Sequence, residues 1–258
     1  MANSFAQYKA NLKTTLVFAL LLAFVIAFVS MPNVFVSSGS IFLDYNFSLE
    51  NPVSFIAVLG LAALFLAFYS FFISIIILSV RKNLSKLKLH FYLHEMMRHF
   101  TLKIFIFYLV YCFALFALGT ALIFLQVSLL LVNLLLLVIS ISLLFVPQSI
   151  VVDEEDIVHA ISSNFEFIAG NKRATLTILF IGALLLALLQ LVEFAIDQIA
   201  LLGSLVSLFL TLVFILPFLE IMKTYMYMLK FDLIKSHEIA QKGKPLKARP
   251  EPDSLASA

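Results

Sequence analysis

Phe145–Asn171 reads FVPQSIVVDEEDIVHAISSNFEFIAGN, and the order of its parts decides the fold. Pro147 closes an apolar run, because proline has no N–H with which to continue a helix. Asp153, Glu154, Glu155 and Asp156 follow as an acidic cluster. Ile157, Ile161, Phe165 and Ile168 then recur at helical spacing, which predicts an amphipathic helix within 151–171. Gly170-Asn171 predicts its C-terminal stop. The acidic start has a simple structural reading: one carboxylate caps exposed N–H groups and the others favour the positive end of the helix dipole. A second reading pairs the cluster with a basic segment earlier in the chain, clamping two hairpins together. A metal or catalytic role lacks an accompanying His-Cys set, and carboxylates alone hold only hard cations.

The sequence on both sides is strongly apolar. The chain has 258 residues, 63% of them hydrophobic and 12% charged, with a mean hydropathy of +1.09. A soluble domain carries about 25% charged residues. Apolar runs long enough to span a bilayer recur, and lipid offers no partner to backbone polar groups, so each crossing is expected to be a helix. Ile104–Val146 holds no charged residue. At 1.5 Å per residue it is about 64 Å long, twice a bilayer core of ~30 Å, so it is expected to be two spans. The turn between them is placed near Leu125–Ser128. The other spans are expected at about 14–31, 52–80, 174–192 and 201–222. The first is read as retained rather than as a cleaved leader, since Ser30-Met31-Pro32 is a poor cleavage site. Pro217 predicts a kink in the last span. Residues 32–51 are expected to form a polar loop, and Glu193 and Asp197 to lie in a short turn.

Charge placement sets the topology. Of the Lys and Arg residues, two lie in the N-terminus, six in 81–103, two at 172–173 and seven after Met222, which accounts for all 17. The alternate loops carry only Asp44, Glu50, Glu193 and Asp197. Positive charge marks the cytoplasmic side, so the expectation is six spans in the cytoplasmic membrane with both termini inside. The basic segment, with Arg81, Lys82, Lys86, Lys88, Arg98 and Lys103, puts Leu89, Leu93, Met96, Met97 and Phe100 on one face. It is expected to be a second cytoplasmic interfacial helix. The fold class is therefore an all-α integral membrane protein of six spans and two interfacial helices, with one domain over 1–240 and a disordered basic tail over 241–258. A span, an interfacial stretch and a span occur twice, without shared sequence.

Few positions carry chemistry. His90 and His94 are one helical turn apart near Glu95 and His99, a spacing that can hold a metal, but HEMMRH lacks the HExxH spacing; on a basic interfacial helix histidines more often sit at headgroup level, and a pH response comes before metal binding. Glu193, Asp197 and Asn133 are the transport candidates, since polar groups in spans line pathways or join helices. Glu220, Lys223 and Thr224 read as an interfacial pairing at the inner boundary. Asn46-Phe47-Ser48 is a glycosylation triplet in an outer loop, and Asn83-Leu84-Ser85 repeats the form on the inner side. Cys112, the single cysteine, reads as a small core residue. No phosphate loop, Ser-His arrangement, zinc motif or nucleic-acid motif is present in the sequence, and no cofactor is expected.

Pro147, Val151, Asp153, Glu154, Ala160, Ser163, Gly170 and Asn171 carry a resemblance to a superfamily of six-span prokaryotic membrane proteins. That superfamily includes many archaeal stand-alone proteins and the membrane domain attached to some glycerophosphodiester phosphodiesterases. The phosphodiesterase barrel has no counterpart in this sequence, so the resemblance implies a membrane module that accompanies other machinery. The functional expectation is a non-enzymatic scaffold or accessory subunit that organises anionic lipid, a protein partner or a second copy at the cytoplasmic face. Asp153, Glu154, Glu155, Asp156, Arg81, Lys82, Lys86 and Lys88 would form its working surface. The alternatives are a small transporter or channel and, further off, a membrane-embedded lipid enzyme.

Overall fold

The computed structural model describes residues 6, 8–9, 11–30, 34–37, 40–43, 52–85, 97–198 and 202–229. In chain order these form α1 (Leu12–Thr15), a 3-10 turn (Leu16–Leu20), α2 (Leu21–Val29), a β1–β2 hairpin (Val34–Ser37, Ser40–Leu43) and α3 (Pro52–Ser85). A wide π turn (Met97–Thr101) then leads into α4 (Leu102–Phe124), followed by α5 (Leu129–Ser142), α6 (Val146–Val152), α7 (Ile157–Gly170) and α8 (Lys172–Asp197). The last span comprises α9 (Gly203–Leu210), a second π turn (Thr211–Ile215) and α10 (Leu216–Met228). Five stretches are long and apolar enough to cross a membrane: Phe55–Leu84, His99–Phe124, Leu129–Val152, Lys172–Asp197 and Gly203–Met228. The chain is a helical, multi-pass membrane protein. The N-terminal apolar stretch is broken by its 3-10 turn, and its apolar helix, Phe18–Val29, is shorter than the other five.

Several boundaries differ from the sequence expectation. Residues 32–51 are not all loop, because Val34-Phe35-Val36 and Ile41-Phe42-Leu43 favour extended backbone and pair antiparallel, with Ser37 opposite Ser40. α3 runs past residue 80 and carries Arg81 near its end and Lys82 in its last turn, so the basic segment begins as a continuation of a span. Met97–Lys103 likewise belong to the start of the next span, and Phe100 is buried in the core. Lys86, Lys88, Leu89, His90, Leu93, His94, Glu95 and Met96 lie outside the described residues, as do Asn46 and the tail over 241–258. Glu193 and Asp197 sit on α8 rather than in a turn. The turn between α4 and α5 falls where expected, with Gln126 at φ 56°.

Proline explains the two irregular spans. Pro147 does not end the Leu129–Val152 span. The backbone loosens over Leu143–Phe145, and Pro147 takes the first turn of α6, where its missing N–H costs least. Asn164 of α7 covers the break: its Nδ2 donates to Ser142 O at 2.6 Å and its Oδ1 accepts from Phe145 N–H at 2.9 Å. Pro217 leaves the carbonyl of Val213 without its helical partner. The turn before it widens to π, and the Tyr8 hydroxyl donates to Val213 O at 3.3 Å. A buried carbonyl in lipid needs such a partner.

α6 is the centre. All seven of its residues are buried, and it packs against α3, α4, α7 and α10. Half of the apolar window of the last span is buried, against 11% for the span beginning at His99, so α10 lines the core while α4 faces outward. α7 buries Ala160, Asn164 and Phe167, with Ile157, Ile161 and Ile168 half-buried beside them. Phe165, expected on that face, is exposed, because the polar Asn164 takes the inward position in order to cover the break.

Asn164→Ala should lower stability by about 2–4 kcal/mol, the cost of orphaning two buried backbone groups. The measurement is the midpoint of reversible unfolding in mixed micelles. Tyr8→Phe should cost about 1 kcal/mol by the same assay, since it orphans one carbonyl.

Candidate functional site

Two structures sit at the end of the bundle where α3, α4 and α10 converge on the acidic connector. The first is the connector itself. Its backbone is sharply turned, with Glu154 at φ 60°, a left-handed conformation that non-glycine residues seldom adopt. The turn sends four successive carboxylates to different elements. The Tyr227 hydroxyl of α10 donates to Asp153 Oδ2 at 2.5 Å. Arg81 Nη1 of α3 reaches Glu154 Oε1 and the carbonyl of Val151, each at 2.9 Å. Glu155 accepts from Ser149 Oγ at 2.8 Å and from Ser163 Oγ at 2.9 Å, joining α6 to α7. Lys103 of α4 contacts Asp156 Oδ1 at 2.5 Å and donates to Glu155 O at 3.3 Å. Asp156 occupies the N-cap position of α7, yet its side chain makes no capping hydrogen bond. The capping reading of the cluster is therefore corrected: its carboxylates bind side chains of neighbouring elements, because Arg81 and Lys103 are stronger partners than backbone N–H groups. Beneath the connector, the rings of Phe145, Phe167 and Tyr227 form a cluster, Phe167 lying 4.7 Å from each of the others between centroids.

The C-terminal stop of α7 also differs in mechanism. Gly170 is its last helical residue, and the break is at Asn171, whose Nδ2 donates to Phe167 O at 3.2 Å. α8 begins at the next residue.

The second structure is a cavity of about 550 Å³ between α3, α4, α5, α8 and α10. Its walls are aliphatic, with Leu137, Ile178, Gly182 and Leu216 among them. Tyr69, Tyr108 and Tyr111 add an aromatic side, and Tyr111 donates to Ser140 Oγ at 2.5 Å. Ser140 in turn donates to Leu136 O, so its proton is committed to the backbone. Glu220 and Lys223 form the charged part of the lining. The sequence places them at the boundary as an interfacial pair. Instead they are 3% and 7% exposed, with Lys223 Nζ 2.5 Å from Glu220 Oε1. Gln148 of the buried α6 donates to Glu220 Oε2 at 2.9 Å, while its own Oε1 is buried without a hydrogen-bond partner among the described residues. The pair is inside because α10 packs on α3 and α6, which turns the face carrying Glu220, Lys223 and Thr224 inward.

The remaining sequence candidates lie elsewhere. Lys82 is exposed on the last turn of α3. Asn133 is exposed on α5, Glu193 is half-buried on α8, and Asp197 Oδ1 accepts from Gly203 N–H at 2.8 Å. Asp197 thus caps the start of α9, and the approach is so close that a Cβ at Gly203 would lie 2.5 Å from Glu193 O. Cys112 is exposed rather than a core residue. Asn83 donates to Asn11 Oδ1 at 3.0 Å, tying α3 to the N-terminal segment. Among the described residues, no group of three or more His, Cys, Asp or Glu side chains could hold a metal ion. Sequence reasoning gave no role to Gln148, Asn164 or the three cavity tyrosines. The available signal was an amide in an otherwise apolar span, which needs a partner wherever water is absent.

The hydrogen bond and charge of Lys103 hold the Asp156 carboxyl below the usual carboxylate range. A carboxylate depressed on folding contributes stability above its unfolded pKa and loses it as pH falls through the folded value. Lys103→Met should therefore raise the Asp156 pKa, read by carboxyl NMR titration. Arg81→Met should destabilise more than Glu154→Gln, by about 1 kcal/mol, because Arg81 also serves the buried end of α6 while Glu154 is half-exposed. In comparisons with known proteins, no family model, no curated protein and no solved structure matches this chain.

Proposed function

We propose that this chain is a non-enzymatic module of the cytoplasmic membrane that holds a lipid in the cavity beside Glu220 and Lys223. The observation that carries this reading is the composition of the cavity: long aliphatic walls with a compact polar region of one ion pair and three tyrosines. Ligand sites commonly have this form, with apolar lining and a few placed polar groups that fix orientation. The acidic connector then acts as a scaffold, since Asp153, Glu154, Glu155 and Asp156 all bind within the chain. Lipid organisation shifts from that surface into the bundle.

Six crossings with both termini in the cytoplasm fit this reading. Counted at 1.5 Å per α residue and 2.0 Å per 3-10 residue, Leu12–Val29 rises about 30 Å, enough for a bilayer core. Arg81, Lys103, Lys172 and Arg173 share the connector end, which supports placing that end inside. α7 would lie along the inner interface, with Val158 and Phe165 towards lipid. Asp153, Glu154, Ser163 and Asn171, which carry part of the resemblance to the phosphodiesterase-associated membrane domains, bind or turn the chain here. That supports taking the shared pattern as a packing signature of a membrane module.

A transport reading is favoured by one observation, the burial of Glu220 and Lys223 within a span. It moves the transport candidates away from Asn133 and Asp197. A liposome flux assay separates the two readings: solute flux abolished by Glu220→Gln would replace lipid holding with transport.

Gly182 lines the cavity, and a Cβ there meets nothing within 4 Å. Gly182→Leu should fill the space without disturbing the bundle. Native mass spectrometry from mild detergent should then show a lipid bound to the wild type and lost from the variant, with unfolding midpoints alike. Equal lipid retention by both proteins would refute the proposal.

A further inference from the structure

We propose that the cavity selects an amphiphile with an uncharged head, and that the Glu220–Lys223 pair is what enforces the choice. This rests on the lipid-holding reading above and names the ligand class. The pair is buried and close, and Glu220 is held on its second oxygen by Gln148 Nε2. The polar end of the cavity therefore carries one positive and one negative charge, which cancel. A carboxylate, phosphate or ammonium head placed there adds a third charge with no counterion, in surroundings where an unpaired charge is strongly penalised. A hydroxyl or ester head adds none.

The same end offers hydrogen bonds to a neutral head. An ammonium has three donors, and Lys223 directs one at Glu220. Tyr69 and Tyr108 bring hydroxyls to the same lining. Such hydroxyls both donate and accept, which suits a hydroxyl head that can do the same. The aliphatic wall past Leu137, Ile178 and Leu216 suits one flexible hydrocarbon chain.

Three photoreactive probes with one identical alkyl chain test this: an alcohol, a carboxylic acid and an amine. They are used on the full-length protein in mild detergent at about pH 9, where the acid is ionised and the amine still mostly protonated. Peptides containing Tyr108 or Gly182 report cavity labelling. The alcohol should label them about tenfold more than either charged probe, a difference worth about 1.4 kcal/mol. Glu220→Gln leaves Lys223 uncompensated, so the acid should now label the cavity at least as strongly as the alcohol, while the amine stays excluded. Wild-type labelling by the acid or amine equal to that by the alcohol overturns the selectivity while leaving a lipid site in place. A Glu220→Gln protein that still prefers the alcohol shows that the pair is not the selector. Absence of cavity labelling by all three probes overturns the lipid-holding reading itself.

Discussion

The bundle depends on one constraint: α6 is sealed inside the protein, so the polar groups on it must look to other elements of the chain for partners. All seven of its residues are buried. Leaving the Gln148 amide N–H, the Ser149 hydroxyl and the last carbonyls open in such surroundings would be costly. Arg81 answers the Val151 carbonyl, Glu155 answers Ser149, and Glu220 answers Gln148. Each answer comes from a different direction, so satisfying α6 also fixes α3, the connector and α10 around it. The apolar contacts supply area, but they are not directional. The polar contacts decide which helix faces which.

This makes the acidic connector and the cavity parts of one arrangement. α10 touches the connector through Tyr227 and the cavity through Glu220 and Lys223, while α6 bonds the connector through Ser149 and the cavity's Glu220 through Gln148. Rotation of α10 about its axis would disturb the aromatic cluster, the Asp153 bond and the Gln148–Glu220 bond together. The polar lining of the cavity is thus held by a rigid element rather than by loops, which suits a site that must discriminate between head groups.

What could be read from the sequence follows the range of the forces involved. Spans were legible because hydropathy is a local property summed over about twenty residues. The turn at Gln126 was legible from length alone, since an uncharged run of about 64 Å cannot cross once. The pairing of the acidic cluster with Arg81 and Lys103 could be stated as an alternative but not chosen, because nothing local separates a capping carboxylate from one reaching across to another helix. Glu220 and Lys223 read as boundary residues because sequence gives depth along a span but not which face turns inward. The strand pairing at Val34–Leu43 was missed because polar punctuation was given more weight than the two β-branched and aromatic triplets. The cavity was beyond reach: its walls come from five separate helices, and no spacing in the chain announces them.

The bond from Tyr8 to Val213 has a consequence for how the protein is made. It joins the N-terminal segment to the last span, so the two partners leave the ribosome with nearly the whole chain between them. Asn11 can meet Ser79 and Asn83 as soon as α3 is in place, which gives the segment a first anchorage. The Tyr8 bond can form only after Val213 has been made, 205 residues later, so the carbonyl freed by Pro217 is the latch that closes on a segment already waiting.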